Sequence, residues 1–139
     1  MLSSLPRPRP PFAILASALI LAGGCESASN GIGPENQLEV TNAIDQFQFQ
    51  LTALDKVSDQ RTFDWENTGT RATVDVSQAI TSGSATLTIR GAGGAVVYDA
   101  EIGAAIDETT MPGIAGMWRI EVDLTNATGT FNFRVQKST

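Results

Sequence analysis

The chain has 139 residues, and its length, composition and charge exclude several classes of protein. It contains no histidine and only one cysteine, so an intrachain disulfide, the usual zinc and copper sites, and Ser-His or Cys-His nucleophile pairs are excluded. After residue 24 the chain carries 7 basic and 15 acidic side chains, a net charge of −8. The arginines are scattered singly, which excludes nucleic-acid binding, and the composition predicts neither a metal nor a cofactor.

The first 24 residues have the pattern of an export signal. Two arginines, Arg7 and Arg9, lie among prolines in a segment without acids, and an apolar run from Phe12 to Ala22 follows. That run is shorter than the roughly 20 residues needed to span a bilayer as a helix, which disfavours a permanent transmembrane anchor. We therefore predict a signal peptide over residues 1–24.

The residues around the predicted cleavage site are more specific. Leu21-Ala-Gly-Gly-Cys25 resembles the lipobox of bacterial lipoproteins. The resemblance implies that Cys25 becomes the mature N-terminus and is lipidated with diacylglycerol and a fatty acid such as palmitate. Glu26 stands where an aspartate would favour inner-membrane retention, so the implied location is the outer membrane if the source is Gram-negative. The alternative is a secreted protein cut at another site.

Residues 25–36 are polar, rich in Gly and Ser, and lack hydrophobic periodicity. They predict a flexible tether with a root-mean-square reach of about 18 Å.

From residue 37 to residue 139 the dominant pattern is alternation of apolar and polar residues, which is typical of half-buried strands. Six runs show it, with inward residues Phe47, Phe49, Leu51; Phe63, Trp65; Ala72, Val74, Val76; Ala85, Leu87, Ile89; Trp118, Ile120, Val122, Leu124; and Phe131, Phe133, Val135. Further strands are expected near Leu38 to Val40 and Val96 to Asp99, whereas residues 102–116 are compatible with a strand or a long connection.

Turn-forming residues separate these runs, at residues 67–70, 82–84, 91–94, 112–113 and 125–129. Together they predict an all-β domain: a single antiparallel β-sandwich, jelly-roll or Ig-like, of seven or eight strands in two sheets.

Three stretches carry a second resemblance: Ser82 to Asp99, Gly116 to Val122 and Gly129 to Val135. They are similar to bacterial pre-peptidase C-terminal β-sandwich domains, whose loose motifs are shared with other jelly-roll modules, including carbohydrate-binding ones. The resemblance implies a non-catalytic accessory or binding domain, although no peptidase accompanies it here.

Three groups of residues in the sequence are candidates for a ligand-binding or catalytic site. A strand follows the glycine cluster at 91–94, which favours a hairpin turn over a phosphate cradle. Asp64 and Glu66 share a strand face and are compatible with Ca²⁺ or a carboxylate pair, but a solvated face is favoured. Trp65 and Trp118 belong to the core by pattern, and the facing of Tyr98 is open.

The predicted function is a lipid-anchored cell-envelope binding or structural module without catalytic activity, held at the membrane by its N-terminal lipid, with an envelope protein or a glycan as partner. The alternative is a carbohydrate- or small-ligand-binding β-sandwich module, secreted or surface-exposed. Cys25 is the one predicted site residue, and the sequence does not identify the ligand-binding residues.

Overall fold

A computed structural model describes residues 31–139. The predicted signal peptide, Cys25 and the first part of the predicted tether lie outside the described residues. Within the described part, six strands form one antiparallel sheet: β1 (Glu39–Ala43), β2 (Gln46–Asn67), β3 (Ala72–Arg90), β4 (Val96–Glu101), β5 (Ile106–Thr109) and β6 (Gly116–Lys137). The predicted all-β antiparallel fold is confirmed. No helix in this part of the chain is long and apolar enough to cross a membrane.

The sheet is folded over on itself to give two layers. The strand order is β1-β2-β6-β3-β4, with β5 paired to the first half of β3. β2, β3 and β6 are 22, 19 and 22 residues long, and each has register irregularities near its middle. In β2, the Phe63 ring centroid lies 5.2 Å from that of Phe47 and 5.8 Å from that of Phe49. A straight strand would separate Phe63 from Phe49 and Phe47 by about 45–55 Å, so the two halves of β2 must face each other.

The hydrophobic core fills the space between the two layers. The first layer contains β1, the first halves of β2 and β3, the second half of β6, and β5; the remaining halves and β4 form the second. The predicted inward residues are buried, except that Phe63 is only half-buried. At the centre, Trp65 and Trp118 pack edge to face with ring centroids 6.0 Å apart. The alternation therefore identified the buried face of both layers.

The number of strands is six, where seven or eight were predicted, because three strands run through both layers. Residues 82–84 and 125–129 were predicted as turns but lie inside β3 and β6. Gly83 and Gly129 adopt positive φ values of 73° and 130° there. A Cβ on Gly129 would lie 1.9 Å from the Ala79 carbonyl oxygen. These glycines allow the strands to bend through bulges without reversing the chain.

Other boundaries also differ from the predictions. The first strand is Glu39–Ala43 and not residues 38–40, and residues 102–116 contain β5 followed by a connection.

The predicted tether of residues 25–36 is wrong for its last five residues. Pro34–Asn36 form a short 3₁₀ turn, and the Asn36 side chain is buried, with Nδ2 donating to the carbonyls of Thr52 and Ala53 at 3.2 and 3.0 Å. The Ile32 N–H donates to Asp59 Oδ2 at 2.9 Å, and Ile32 packs against the core. The folded domain therefore begins by Ile32 and not at residue 37.

Candidate functional site: the open end of the sandwich

The two ends of the sandwich differ in construction. At the folded end the three long strands bend, within residues 51–59, 80–84 and 124–129. At the opposite end, called here the open end, strands finish and are joined by residues 44–45, 68–71, 91–95 and 110–115. The hydrogen bond between Ile32 and Asp59 places the start of the domain at the folded end. Surfaces at the open end thus lie farthest from the start of the domain.

Hydrogen bonds fix the loops of the open end. The Trp118 indole N–H donates to the Ile114 carbonyl at 2.7 Å, and the Gly113 N–H donates to the Thr70 carbonyl at 2.7 Å. The Ala92 N–H donates to the same Ile114 carbonyl at 3.3 Å. Residues 110–115 therefore cross the end of the sandwich beside the turn at 91–94. The turns predicted at 67–70, 91–94 and 112–113 are confirmed as connections between strands.

A second set of polar contacts holds the neighbouring connections. Asp45 accepts hydrogen bonds from the Thr68 N–H at 2.7 Å and the Thr68 hydroxyl, and Lys137 Nζ lies 3.6 Å from it. The backbone hydrogen bond from Thr68 is the main reason that the pKa of Asp45 lies below its ordinary value. This carboxylate therefore links the β1–β2 turn to the start of the β2–β3 connection.

Exposed apolar side chains concentrate at the open end. Six large apolar residues of the described part are exposed, and five of them are at this end: Ile44, Val96, Met111, Ile114 and Met117. Ile114 and Met111 are 65% and 68% exposed, although the backbone around them is held by the hydrogen bonds above. Exposed apolar side chains that are concentrated in one part of a domain mark an interaction site more often than scattered ones do.

A groove beside this apolar surface has a charged wall. Its volume is about 330 Å³, and it is lined by Asp64, Arg90, Gly91, Ala92, Gly94, Met117 and Arg119. Four of the seven basic residues in the described part, Arg71, Arg90, Arg119 and Lys137, lie at or near this end. The open end thus combines exposed apolar side chains with four of the seven cations of the described part, and Asp45, Asp64 and Glu66 lie among them.

The carboxylates and aromatic rings that the sequence offers as candidate site residues do not form a site. Asp64 and Glu66 lie on an outer face, and the Asp64 side chain is 67% exposed. Among the described residues, no group of three or more His, Cys, Asp or Glu side chains could hold a metal ion. Trp65 and Trp118 are fully buried, as their pattern predicted, and Tyr98 is only 8% exposed. None of these three rings offers a face for stacking on a ligand.

Tyr98 is a buried phenol, and Glu108 is the acidic side chain that faces its hydroxyl. Burial, reinforced by the negative charge of Glu108, raises its pKa to about 12. The ring therefore serves as core packing, and its hydroxyl stays protonated at neutral pH.

A second surface is polar and lies on the outer side of the first layer. We call it the polar face, and it consists of Gln48, Gln50, Asp75, Ser77, Asn132 and Arg134 on three adjacent strands. Arg134 donates to Asp75 at 3.2 Å, and a depression of about 140 Å³ lies beside them. Within residues 31–139, Asn132 Oδ1 is buried there and has no hydrogen-bond partner. An unsatisfied acceptor of this kind costs about 1–3 kcal/mol.

Sequence reasoning missed the residues that distinguish both surfaces. One clue was available, because Met117 is an apolar residue on the polar side of the alternation around Trp118, and Met111 and Ile114 flank the Pro112-Gly113 turn. The proximity of Arg90 and Arg119 had no such clue, since it depends on the register between β3 and β6.

Comparison with known proteins gives little further information. No protein-family model and no curated protein matches the chain. A solved structure, that of CsCBM6-3 from Clostridium stercorarium in complex with cellobiose, is similar with a TM-score of 0.31 and 17% identity, over 77% of this chain and 86% of that one. Similarity at this level does not show that the two proteins share a ligand or a function.

Proposed function

We propose that this chain is a binding module of the bacterial cell envelope, lipid-anchored through Cys25 and without catalytic activity, that holds a protein partner at its open end. The observation that carries the proposal is the position of the exposed apolar residues. Five of six lie at the end opposite to the start of the domain.

The proposed anchor and the position of Ile32 together predict which surfaces face outward. Six residues lie between Cys25 and Ile32, and the seven residue steps span at most about 25 Å. The half of β2 from residue 57 to residue 67 adds about 33 Å along the strand. The folded end would therefore stay close to the lipid surface, while the open end projects beyond it toward partners.

The anchor is tested by expressing the full chain in a bacterium and comparing it with the Cys25→Ser variant. We expect a membrane-bound product whose intact mass equals residues 25–139 plus lipid, and loss of both properties in the variant. A soluble product cut at another site would refute the anchor and favour the secreted alternative.

Partner binding is tested with a photo-crosslinking benzoylphenylalanine placed at Met117, and at Val40 as the control. Val40 is 38% exposed on β1, away from the open end. We expect one discrete crosslinked envelope protein from position 117 and none from position 40. Ile114→Ser should abolish that product without lowering the melting temperature. Equal labelling from both positions would refute an open-end site.

The polar face supports a second candidate function, the binding of a neutral glycan. The observation in its favour is Asn132 Oδ1, a buried acceptor that a ligand hydroxyl could satisfy. Tryptophan fluorescence would report poorly on this face, because both indoles are buried on the other side of the sheet. The test is an NMR titration with neutral oligosaccharides that follows the Asn132 side-chain amide. Shifts shared by Asn132 and Gln48 would support it, and unchanged spectra across the set would refute it.

A further inference from the structure

Two arginines of this acidic domain lie directly opposite each other. Arg90 on β3 is the cross-strand partner of Arg119 on β6, and both side chains point to the outer face of the second layer. Like charges at such positions destabilise a sheet, because their side chains are only about 5 Å apart at Cβ. The described part contains seven basic and fourteen acidic residues, so a pair of adjacent arginines is unexpected on charge alone.

The neighbouring acids compensate these two guanidinium groups only loosely. Arg90 Nε lies 3.6 Å from Glu121 Oε1, and Arg119 Nε lies 3.8 Å from Asp64 Oδ1, both beyond hydrogen-bond distance. Arg90 Nη1 donates to the Gly94 carbonyl at 3.3 Å, whereas Arg119 makes no hydrogen bond within the described residues. The two side chains are 40% and 56% exposed. Most of their N–H donors are thus available to a ligand.

The groove next to the arginines has the size and lining to bind two adjacent side chains of a peptide segment. Its volume of about 330 Å³ is near the lower limit of ligand pockets. Met117 provides an apolar wall, and Ile114 lies beyond the glycine turn, with Cδ1 2.8 Å from where a Cβ on Gly93 would be. A bound segment would therefore meet guanidinium groups on one side and apolar side chains on the other.

We propose that this groove binds the carboxylate of an acidic residue in an acidic, apolar segment of the partner protein, an inference that rests on the proposed function. The carboxylate is held between Arg90 and Arg119, and the adjacent apolar side chain packs on Met117. A monoanion is favoured over a dianion such as phosphate, because Asp64 and Glu121 lie beside the two arginines and repel a second negative charge on the ligand. The partner is thus complementary to the open end in both charge and hydrophobicity.

The direct test is an NMR titration of the arginine Nε–H signals with the capped dipeptide N-acetyl-Leu-Asp-amide. N-acetyl-Leu-Asn-amide is the neutral control, and inorganic phosphate is the third probe. We expect shifts at Arg90 and Arg119 with the aspartyl peptide only. Arg119→Gln should weaken its binding about tenfold or more, as expected for loss of a charge-assisted hydrogen bond.

Arg134→Gln is the matched control, because Arg134 is a similarly exposed arginine paired with Asp75 on the polar face. It should leave the titration unchanged. Equal shifts with both peptides, equal shifts at Arg134, or tighter binding of phosphate would each overturn the proposal.

The crosslinking assay separates this inference from the proposed function. If Arg119→Gln leaves the product formed from position 117 intact while Ile114→Ser abolishes it, the carboxylate site is refuted and the open-end partner stands. If position 117 yields no product at all, the proposed partner is refuted, and the peptide titration alone decides whether the groove binds a carboxylate.

Discussion

Replacing Gly129 by alanine tests whether the sheet is folded through its bulges. A Cβ at this position would lie 1.9 Å from the Ala79 carbonyl oxygen, and the backbone φ of 130° is one that residues other than glycine rarely adopt. The backbone conformation alone costs about 1–3 kcal/mol, and separating β3 from β6 at the overlap raises the total to about 3–5 kcal/mol. For a domain of this size that corresponds to a melting temperature lower by about 12–20 °C.

Two other glycines provide graded controls for this experiment. Gly94 has a φ of 87° but no atom within 4 Å of its added Cβ, so Gly94→Ala should carry only the backbone cost and lower the melting temperature by about 4–12 °C. Gly103 has open space and no positive φ, so Gly103→Ala should be neutral or stabilise by up to about 1 kcal/mol. Thermal unfolding followed by circular dichroism gives all three values. A loss for Gly129→Ala no larger than that for Gly94→Ala would refute the folded sheet.

Three further predictions concern the core, the only tyrosine and the first residues of the domain. Phe63→Ala should destabilise the domain by about 2–4 kcal/mol in urea unfolding, because its ring contacts the opposite layer; a loss below about 1 kcal/mol would contradict that contact. Absorbance titration should show Tyr98 ionising at about pH 12, and ordinary ionisation near pH 10 in the folded protein would contradict its burial. Because this pKa is raised on folding, the associated stability is present below about pH 10 and is lost as the pH rises through 12. Asp59 has a lowered pKa because hydrogen bonds from Ile32, Arg61 and Gln60 outweigh the effect of its partial burial. The contribution of Asp59 to the stability of the fold is therefore present above about pH 4 and is lost in acid. Asp59→Asn should speed hydrogen exchange of the Ile32 amide. Unchanged exchange would show that this hydrogen bond does not hold the segment.

The inward faces of the strands were predictable because every half-strand has one side on the same core. Phe47, Phe49 and Leu51 are buried while Gln46 and Gln48 are exposed, so alternation was sufficient. The continuity of the strands was not predictable from local sequence. Glycines and small polar residues at 82–84 favour a tight turn and a bulge equally, and long-range pairing with β6 decides between them.

The bend in β2 was even less predictable from the sequence than the bends in β3 and β6. Ala53 and Lys56 adopt positive φ values of 49° and 51°, although neither residue type favours them. Neighbouring strands impose that conformation on β2. Similarly, Asn36 is a polar residue in a segment whose composition is typical of a tether. It is buried because the bent strand leaves the carbonyls of Thr52 and Ala53 within its reach.

The candidate site could be predicted only in part. The turn at 91–94 and the solvated position of Asp64 followed from the sequence, and so did the burial of both tryptophans. The groove did not, because it requires Arg90 and Arg119 to be neighbours although 28 residues separate them along the chain. Such a pair becomes visible only when the register of the sheet is known.

The position of β6 in the sheet has a consequence for the order in which the domain can fold. β6 lies between β2 and β3 in both layers, and it is the last strand along the chain. β2 and β3 are not paired with each other, so neither layer can be completed until β6 arrives. A chain that is made from its N-terminus would therefore complete neither layer until residues 116–137 had appeared. The topology thus makes folding depend on the last strand of the sheet.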